Sequence, residues 1–557
     1  MSERLHDRLR AQAVARPDAV ALVWKGKRTT YGALDDASDR VARVLADIGC
    51  RLGDRVALLA PKKPEAVTAM VGIMKTGAAY VPLDPAEPPK RLARLLRSID
   101  CRCILGGGAV AAVLEQAMAA SELKRLPVVG ALDEQFAGSA QDVEFGPADV
   151  RRAEPLTDAE QSRDDGLAQI LFTSGSTGDP KGVMITHASA MRFVAWAIDY
   201  FGMNRTDRVS QHPPLRFDVS TLDIFSTLSV GAELHLVPPE LNLLPHKLAQ
   251  FMRASQLTQW FSVPSTLNLL AKFGALEGVE LPALRRILFA GEVLPTPTLI
   301  YLMKLLPRVQ FTNLYGPTET TIASSYYTLP ECPRDARQPI PIGRACAGEE
   351  LLVLDSELRS VPTGDVGDLY IAGAGVSPGY WADPEKTRAA FVARPGGGPA
   401  HRMYRTGDRA RRDADGVHFF HGRADTQIKC RGYRIELGEI EAALHTLPAL
   451  RESAVVAIES AGFEGSTVCC AYVPAPHVDV STVDLRKALA GQLPAHMLPT
   501  CWRSYESLPK NASGKCDRMK LADDFRKTQA APAAPARPAA ARGLGWSGQD
   551  VIGGLEA

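Results

Sequence analysis

Across residues 1–424, short apolar and β-branched runs alternate with helix-length amphipathic segments. RVALL (55–59) precedes a helical pattern over 65–75, and YVPL (80–83) follows it. LHLV (234–237) and ILFA (287–290) recur in the same setting. A hairpin needs only a turn, whereas neighbouring parallel strands need a long crossover, usually a helix. The alternation therefore predicts an α/β fold, with a large N-terminal domain (1–424) of layered parallel-rich sheets and helices. A chain of 557 residues, 46% of them hydrophobic, can bury a core large enough to divide into more than one domain.

The texture changes at 422–425. A Gly- and charge-rich stretch, GRADTQIKCRGYRIELGEIEAAL (422–444), runs into a predicted helix with Leu437, Ile440, Leu444 and Leu447 at helical spacing. Strands are expected over 454–458 and 469–473, and a helix over 483–493. This pattern predicts a small α+β domain over 425–525. The remainder, 526–557, is dominated by Ala and Pro over 529–542 and cannot pack a core, so a disordered tail is expected. No internal repeat is visible.

Several function classes are disfavoured at once. A net charge of +1 supplies no global field toward nucleic acid or an anionic membrane. The charged N-terminus, MSERLHDRLRAQ, lacks the apolar core of a signal peptide. The apolar run AVTAMVGIM is broken by Lys75, too early for a membrane span. A soluble, cytoplasmic protein is expected. The ten cysteines are scattered, and the close pairs Cys101/Cys103 and Cys469/Cys470 lack metal-ligand spacing, which predicts reduced thiols.

The first chemistry-bearing feature is LFTSGSTGDPKGV (171–183). An apolar strand end enters a loop with Thr173, Ser174, Gly175, Ser176, Thr177, Gly178 and Lys181. Closely spaced N–H groups and hydroxyls in such a loop make a concave site for phosphate oxygens. It is not a Walker loop. Counting from Gly175, the Gly-Lys of that motif falls on Pro180 and Lys181, and Gly182 replaces the hydroxyl residue that would hold magnesium. Nor is it a dinucleotide fingerprint.

Further motifs accompany the loop in a fixed order. They are KTGAAYVPLDP (75–85), FDVSTLDIF (217–225), NLYGPTET (313–320), GDLYIAGAGVSPGYW (367–381), YRTGDRAR (404–411), GRADTQIKCRGYRIELGEIE (422–441) and LPKNASGKCDR (508–518). On these residues the chain, over 34–520, resembles the amino-acid adenylation domains of nonribosomal peptide synthesis. These belong to the adenylate-forming superfamily that also holds acyl-CoA synthetases and luciferases. The resemblance implies attack of a carboxylate on the α-phosphate of ATP, loss of pyrophosphate, and transfer of the acyl group from AMP to a pantetheine thiol.

Two anions must meet in that reaction, so cations and N–H donors have to offset their repulsion. The resemblance implies that the 173–181 loop, with Lys181, holds the β- and γ-phosphates. It places Asn313, Tyr315 and Gly316 at the nucleotide, with Tyr315 against adenine, and Thr318 near the α-phosphate. Glu319 falls on Mg²⁺, an ion that keeps several waters and suits one carboxylate beside phosphates. Asp408 falls at the ribose hydroxyls, and Arg423 beside the nucleotide. Phe420 stands where many members carry a tyrosine, so a hydroxyl contact is lost. Lys515 would bridge the substrate carboxylate and the α-phosphate, making Lys515, Lys181 and Glu319 the catalytic set. Asp425 matches the hinge about which the small domain turns, and the loop 429–433 would then face the thioester site.

The substrate pocket carried over in the same way comprises Asp218, Val219, Leu222, Phe261, Leu288, Ala290, Leu314, Ile322 and Ala323. A buried carboxylate is costly unless a cation meets it, so Asp218 argues for an ammonium-bearing substrate. The alternative use of Asp218 is to cap the helix that follows. Every other position is apolar, leaving a polar side chain without a partner. The three leucines resemble stand-alone prolyl-adenylating enzymes of pyrrole biosynthesis, which favours proline. Alanine, valine, leucine and a compact β-amino acid stay open, as does an acyl- or aryl-CoA ligase on the same fold. No condensation-domain or carrier-protein motif is present, so the partner expected is a separate phosphopantetheinylated carrier protein.

Overall fold

The computed structural model describes residues 3–157, 166–175, 179–395, 402–459, 466–511 and 516–530. Two large sheets organise the N-terminal part. One has six strands, with Arg55–Leu59, Ala79–Leu83 and Cys103–Gly106 parallel neighbours. Leu167–Thr173 lies beside Ala79–Leu83 and pairs antiparallel with the edge strand Lys181–Thr186. The other has nine strands, with Gln259–Ser262, Arg286–Ala290 and Gln310–Tyr315 adjacent and parallel.

Side chains alternate across these central strands, as a period of two requires. Phe261, Leu288 and Leu314 join a core shared with Tyr80 and Leu171 of the first sheet. Trp260, Ile287, Phe289 and Phe311 point the other way, into a second core under helices Pro264–Lys272 and Thr296–Leu305. The first core is pinned by Lys75 of the KTG motif. Its side chain is fully buried and reaches Asp35 at 2.6 Å and Asp39 at 2.7 Å.

A third, antiparallel sheet of five strands spans Glu349–Leu354 to His418–Arg423. The small C-terminal domain is built on the sheet Leu450–Glu459, Ser466–Pro474 and Cys501–Ser504. One face packs Val455, Val468 and Cys470 under helices Leu437–His445 and Thr482–Ala490. The other packs Val456, Cys469 and Ala471 under Arg518–Ala530. That last helix runs past residue 525, where the small domain was expected to end. The rest of the Ala/Pro-rich stretch lies outside the described residues.

The segment expected as a loop over 429–433 is a β-hairpin instead. Gln427–Cys430 and Tyr433–Glu436 pair antiparallel across Arg431 and Gly432, whose φ values are 52° and 81°. Two consecutive left-handed residues make the turn whose twist matches flanking strands. The alternation of QIKC and YRIE is the signal for it.

Candidate active site

The site lies at the carboxyl ends of the central parallel strands, where open α/β sheets bind ligands. Phe261 sits directly beside Leu288, and Ala290 beside Leu314. These four, with Leu222, Ile322 and Ala323, are buried in one cluster, and Val219 packs against it half-buried. The structure thus gathers all the apolar positions predicted for the substrate.

Asp218 enters the same region from the start of a short helical turn, Val219–Thr221, that passes into a π-helical turn, Leu222–Ser226. Its side chain makes no N-cap hydrogen bond further into that turn, although the Val219 N–H at its start bonds the carboxylate. The carboxylate is buried, and among the described residues no basic group pairs with it. Burial pushes its pKa from 3.8 up to about 6, although the Thr318 side chain and the Val219 and Ile322 N–H groups counter that rise.

Strand Gln310–Tyr315 ends in the turn Thr318–Thr320, and the chain then doubles back through two left-handed β-branched residues, Thr321 (φ 59°) and Ile322 (φ 73°). The N–H of Ser324 donates to the Tyr315 carbonyl at 2.8 Å, closing the loop. Gly316 has no room for a side chain, since a Cβ would lie 2.5 Å from the Ala323 Cα. This folding-back places Glu319 in the interior. Its Oε1 and Oε2 accept from Arg434 Nη1 at 3.0 and 2.8 Å, and Oε1 also accepts from the Tyr380 hydroxyl at 2.9 Å. Burial alone would raise the Glu319 pKa, but Arg434 and Lys181 outweigh it and hold the carboxyl down to about 2.

Thr173 and Lys181 face each other across the mouth of the 173–181 loop. Lys181 stands 5.2 Å from the centre of the Tyr380 ring, and burial, then Arg434, lowers its pKa. The Thr173 hydroxyl is buried with no partner among the described residues, and Ser174 Oγ donates to the Arg434 carbonyl at 2.8 Å. Gly175 is required, because a Cβ would sit 2.1 Å from the Asp179 carbonyl oxygen. Ser176, Thr177 and Gly178 lie outside the described residues, as does Lys515.

On the nucleotide side, the Tyr315 hydroxyl donates to Asp408, which also receives Arg423. Phe420 packs in the cluster that holds Tyr315, and Lys429 lies 5.6 Å from the Tyr315 ring centre. Asn313 spends an amide N–H on the Pro341 carbonyl at 2.8 Å. Arg423 also clamps Asp425 at 2.7 and 2.8 Å, tying the expected hinge to the Asp408 strand. Two residues without a role assigned from sequence join the site, Arg434 and Tyr380. Both lie inside matched motifs, and the signal for Arg434 was a charge alternating with apolar Ile435 in a strand.

A model of the AMP-binding enzyme family matches residues 9–381, and one of the AMP-binding enzyme C-terminal domain matches 439–515. The chain belongs to the AMP-binding enzymes. It is 37% identical over 96% of its length to a dimodular nonribosomal peptide synthase of Bacillus subtilis, of which it spans 21%. It is 34% identical to an L-proline–[L-prolyl-carrier protein] ligase of Streptomyces coelicolor, covering 95% of this chain and 97% of that one. Among solved structures, the Vibrio cholerae adenylation domain AlmE, in complex with glycyl-adenosine-5'-phosphate, superposes with a TM-score of 0.80. That match has 26% identity and covers 95% of this chain and 98% of AlmE. Enzymes of this family use ATP and magnesium. No helix among the described residues is long and apolar enough to cross a membrane.

Proposed function

We propose that this enzyme activates a compact apolar amino acid, proline foremost, as its aminoacyl-AMP. It then passes the acyl group to the phosphopantetheine thiol of a carrier protein. The observation that carries this reading is Asp218, a buried carboxylate with no cation beside it among the described residues, next to a cluster of apolar side chains. An α-ammonium group supplies the missing charge, and the pocket beyond it offers a polar side chain nothing to bond.

The residues present fit ATP and magnesium. The Thr173 hydroxyl, which has no partner among the described residues, with Ser174, Gly175 and Lys181, suits phosphate oxygens, and ionised Glu319 suits a hard cation. When bound, magnesium would draw negative charge from the pyrophosphate leaving group. The protein's own part is to orient. Tyr315 and Asp408 would hold the nucleoside end, Thr318, whose side chain bonds Asp218, would serve the α-phosphate, and Lys515 would bridge carboxylate and α-phosphate. Such catalysis rests on positioning and electrostatic stabilisation. The proline ligase named above supports the choice of substrate through its similarity over nearly the whole chain.

The test is ATP–pyrophosphate exchange over proteinogenic and β-amino acids, followed by acyl transfer to CoA or to a phosphopantetheinylated carrier. Proline should lead, and the carrier should be the acceptor. Strong exchange with serine, asparagine, lysine or glutamate would refute the pocket; preference for CoA would favour the CoA-ligase reading.

A further inference from the structure

The hairpin Gln427–Glu436 uses two of the groups assigned above to magnesium ATP. Arg434 Nη1 lies on both oxygens of Glu319, at 3.0 and 2.8 Å, and the Arg434 carbonyl accepts the Ser174 hydroxyl at 2.8 Å. Glu319 is fully buried, and leaving an ionised carboxylate there without a close cation is costly. Among the described residues the other bond to Glu319, from the Tyr380 hydroxyl, is neutral, and Lys181 acts on it through its charge, less strongly than Arg434.

We propose that Arg434 is an electrostatic latch that replaces departing magnesium pyrophosphate at Glu319. Magnesium and Arg434 hold this carboxylate in turn. While pyrophosphate is bound, the ion satisfies Glu319, and two cations on one carboxylate repel. Were magnesium to leave with pyrophosphate, Glu319 would keep only the weaker field of Lys181, and seating the hairpin would offset that loss. The seated hairpin also engages Ser174 and places Lys429 over the Tyr315 ring and the Gly432 N–H on Glu292 at 2.6 Å. The order of the two half-reactions is thereby tied to one charge. Arg434 is a positioning residue on this view. It acts on the pose of the small domain and not on the reacting atoms.

The inference rests on the assignment of Glu319 and the 173–181 loop to magnesium ATP. Hydrogen–deuterium exchange of the full-length enzyme reads the hairpin directly. Magnesium with inorganic pyrophosphate should speed exchange of the 427–436 amides several-fold, and pyrophosphate with a chelator should not. In Arg434→Ala the hairpin should exchange fast without any ligand. The magnesium concentration giving half-maximal ATP–pyrophosphate exchange should fall about tenfold, the worth of one charged hydrogen-bonded contact. Arg434→Lys, which keeps the charge, should lie between wild type and Arg434→Ala and controls for folding. If calorimetry shows magnesium pyrophosphate bound while hairpin exchange is unchanged, the latch is wrong and the site stands. An unchanged magnesium requirement in Arg434→Ala also overturns it. No calorimetric binding at all would overturn the site assignment, and the latch with it.

Discussion

Asp218 makes a prediction in which binding, stability and pH are linked. Its pKa in the free enzyme is raised from 3.8 to about 6, chiefly by burial. A group raised on folding contributes stability that is present below its unfolded pKa and lost as pH rises through its folded pKa. Keeping Asp218 ionised therefore costs the free protein about 3 kcal/mol at neutral pH, at about 1.4 kcal/mol per tenfold change. The substrate ammonium binds the ionised form. At about pH 5 only about one tenth of Asp218 is ionised, so the amino-acid KM should climb nearly tenfold per pH unit below about 6. The assay is ATP–pyrophosphate exchange at saturating magnesium ATP, between about pH 5 and pH 7.5. In Asp218→Asn the amino-acid KM should be high at every pH. The free variant should be up to about 3 kcal/mol more stable than wild type near neutrality, a gain that fades toward about pH 4. A flat amino-acid KM across this range in the wild-type enzyme would refute the claim that a buried, titrating Asp218 meets the substrate.

Two further substitutions probe the walls. Leu314→Ala should open the pocket to bulkier apolar side chains in the exchange assay. Its cost in thermal unfolding should fall within the roughly 2–5 kcal/mol expected for a buried leucine, since the side chain is buried in the main core. Gly316→Ala drives a methyl onto the Ala323 backbone and should destabilise by about 1–3 kcal/mol while raising KM for both ATP and amino acid. An ordinary melting temperature with unchanged kinetics would show that the turn tolerates displacement.

Much of the site was legible because its parts follow local rules. The parallel strands announced themselves as apolar runs between helical patterns. The positions Phe261, Leu288, Ala290 and Leu314 then fall on one side of those strands by register alone. Asp218 was assigned through the FDVS motif shared with adenylation domains, and its burial cost then argued for a cationic substrate. What could not be read were the pairings made across long separations. Glu319 and Arg434 are 115 positions apart, and Tyr380 reaches Glu319 from the loop that follows strand Val366–Gly373. Nothing near Arg434 in sequence states which carboxylate it meets. The hairpin was missed for a different reason. Its turn residues, Arg431 and Gly432, were read as part of a charged loop, although a glycine between two alternating runs is the usual mark of a tight turn.

The backbone between Glu319 and Ala323 shows how the two halves of the site are held in one frame. Left-handed conformations at β-branched Thr321 and Ile322 are costly and persist only where the surroundings over-determine them. Those surroundings are identifiable. The Thr321 hydroxyl donates to the Gly375 carbonyl at 2.7 Å, Ser324 is bonded to Tyr315, and Gly316 lies against Ala323 without a Cβ between them. The same few residues fix Glu319, proposed for the phosphate side, relative to Ile322, proposed for the amino-acid pocket. An extended path here would let the pocket wall and the carboxylate move independently. The strained one makes them a single rigid corner, so on the proposed assignment the spacing of the phosphate and amino-acid sites would be set by backbone and not by side-chain rotamers. Near-attack geometry demands that kind of constraint when two anions must be brought together.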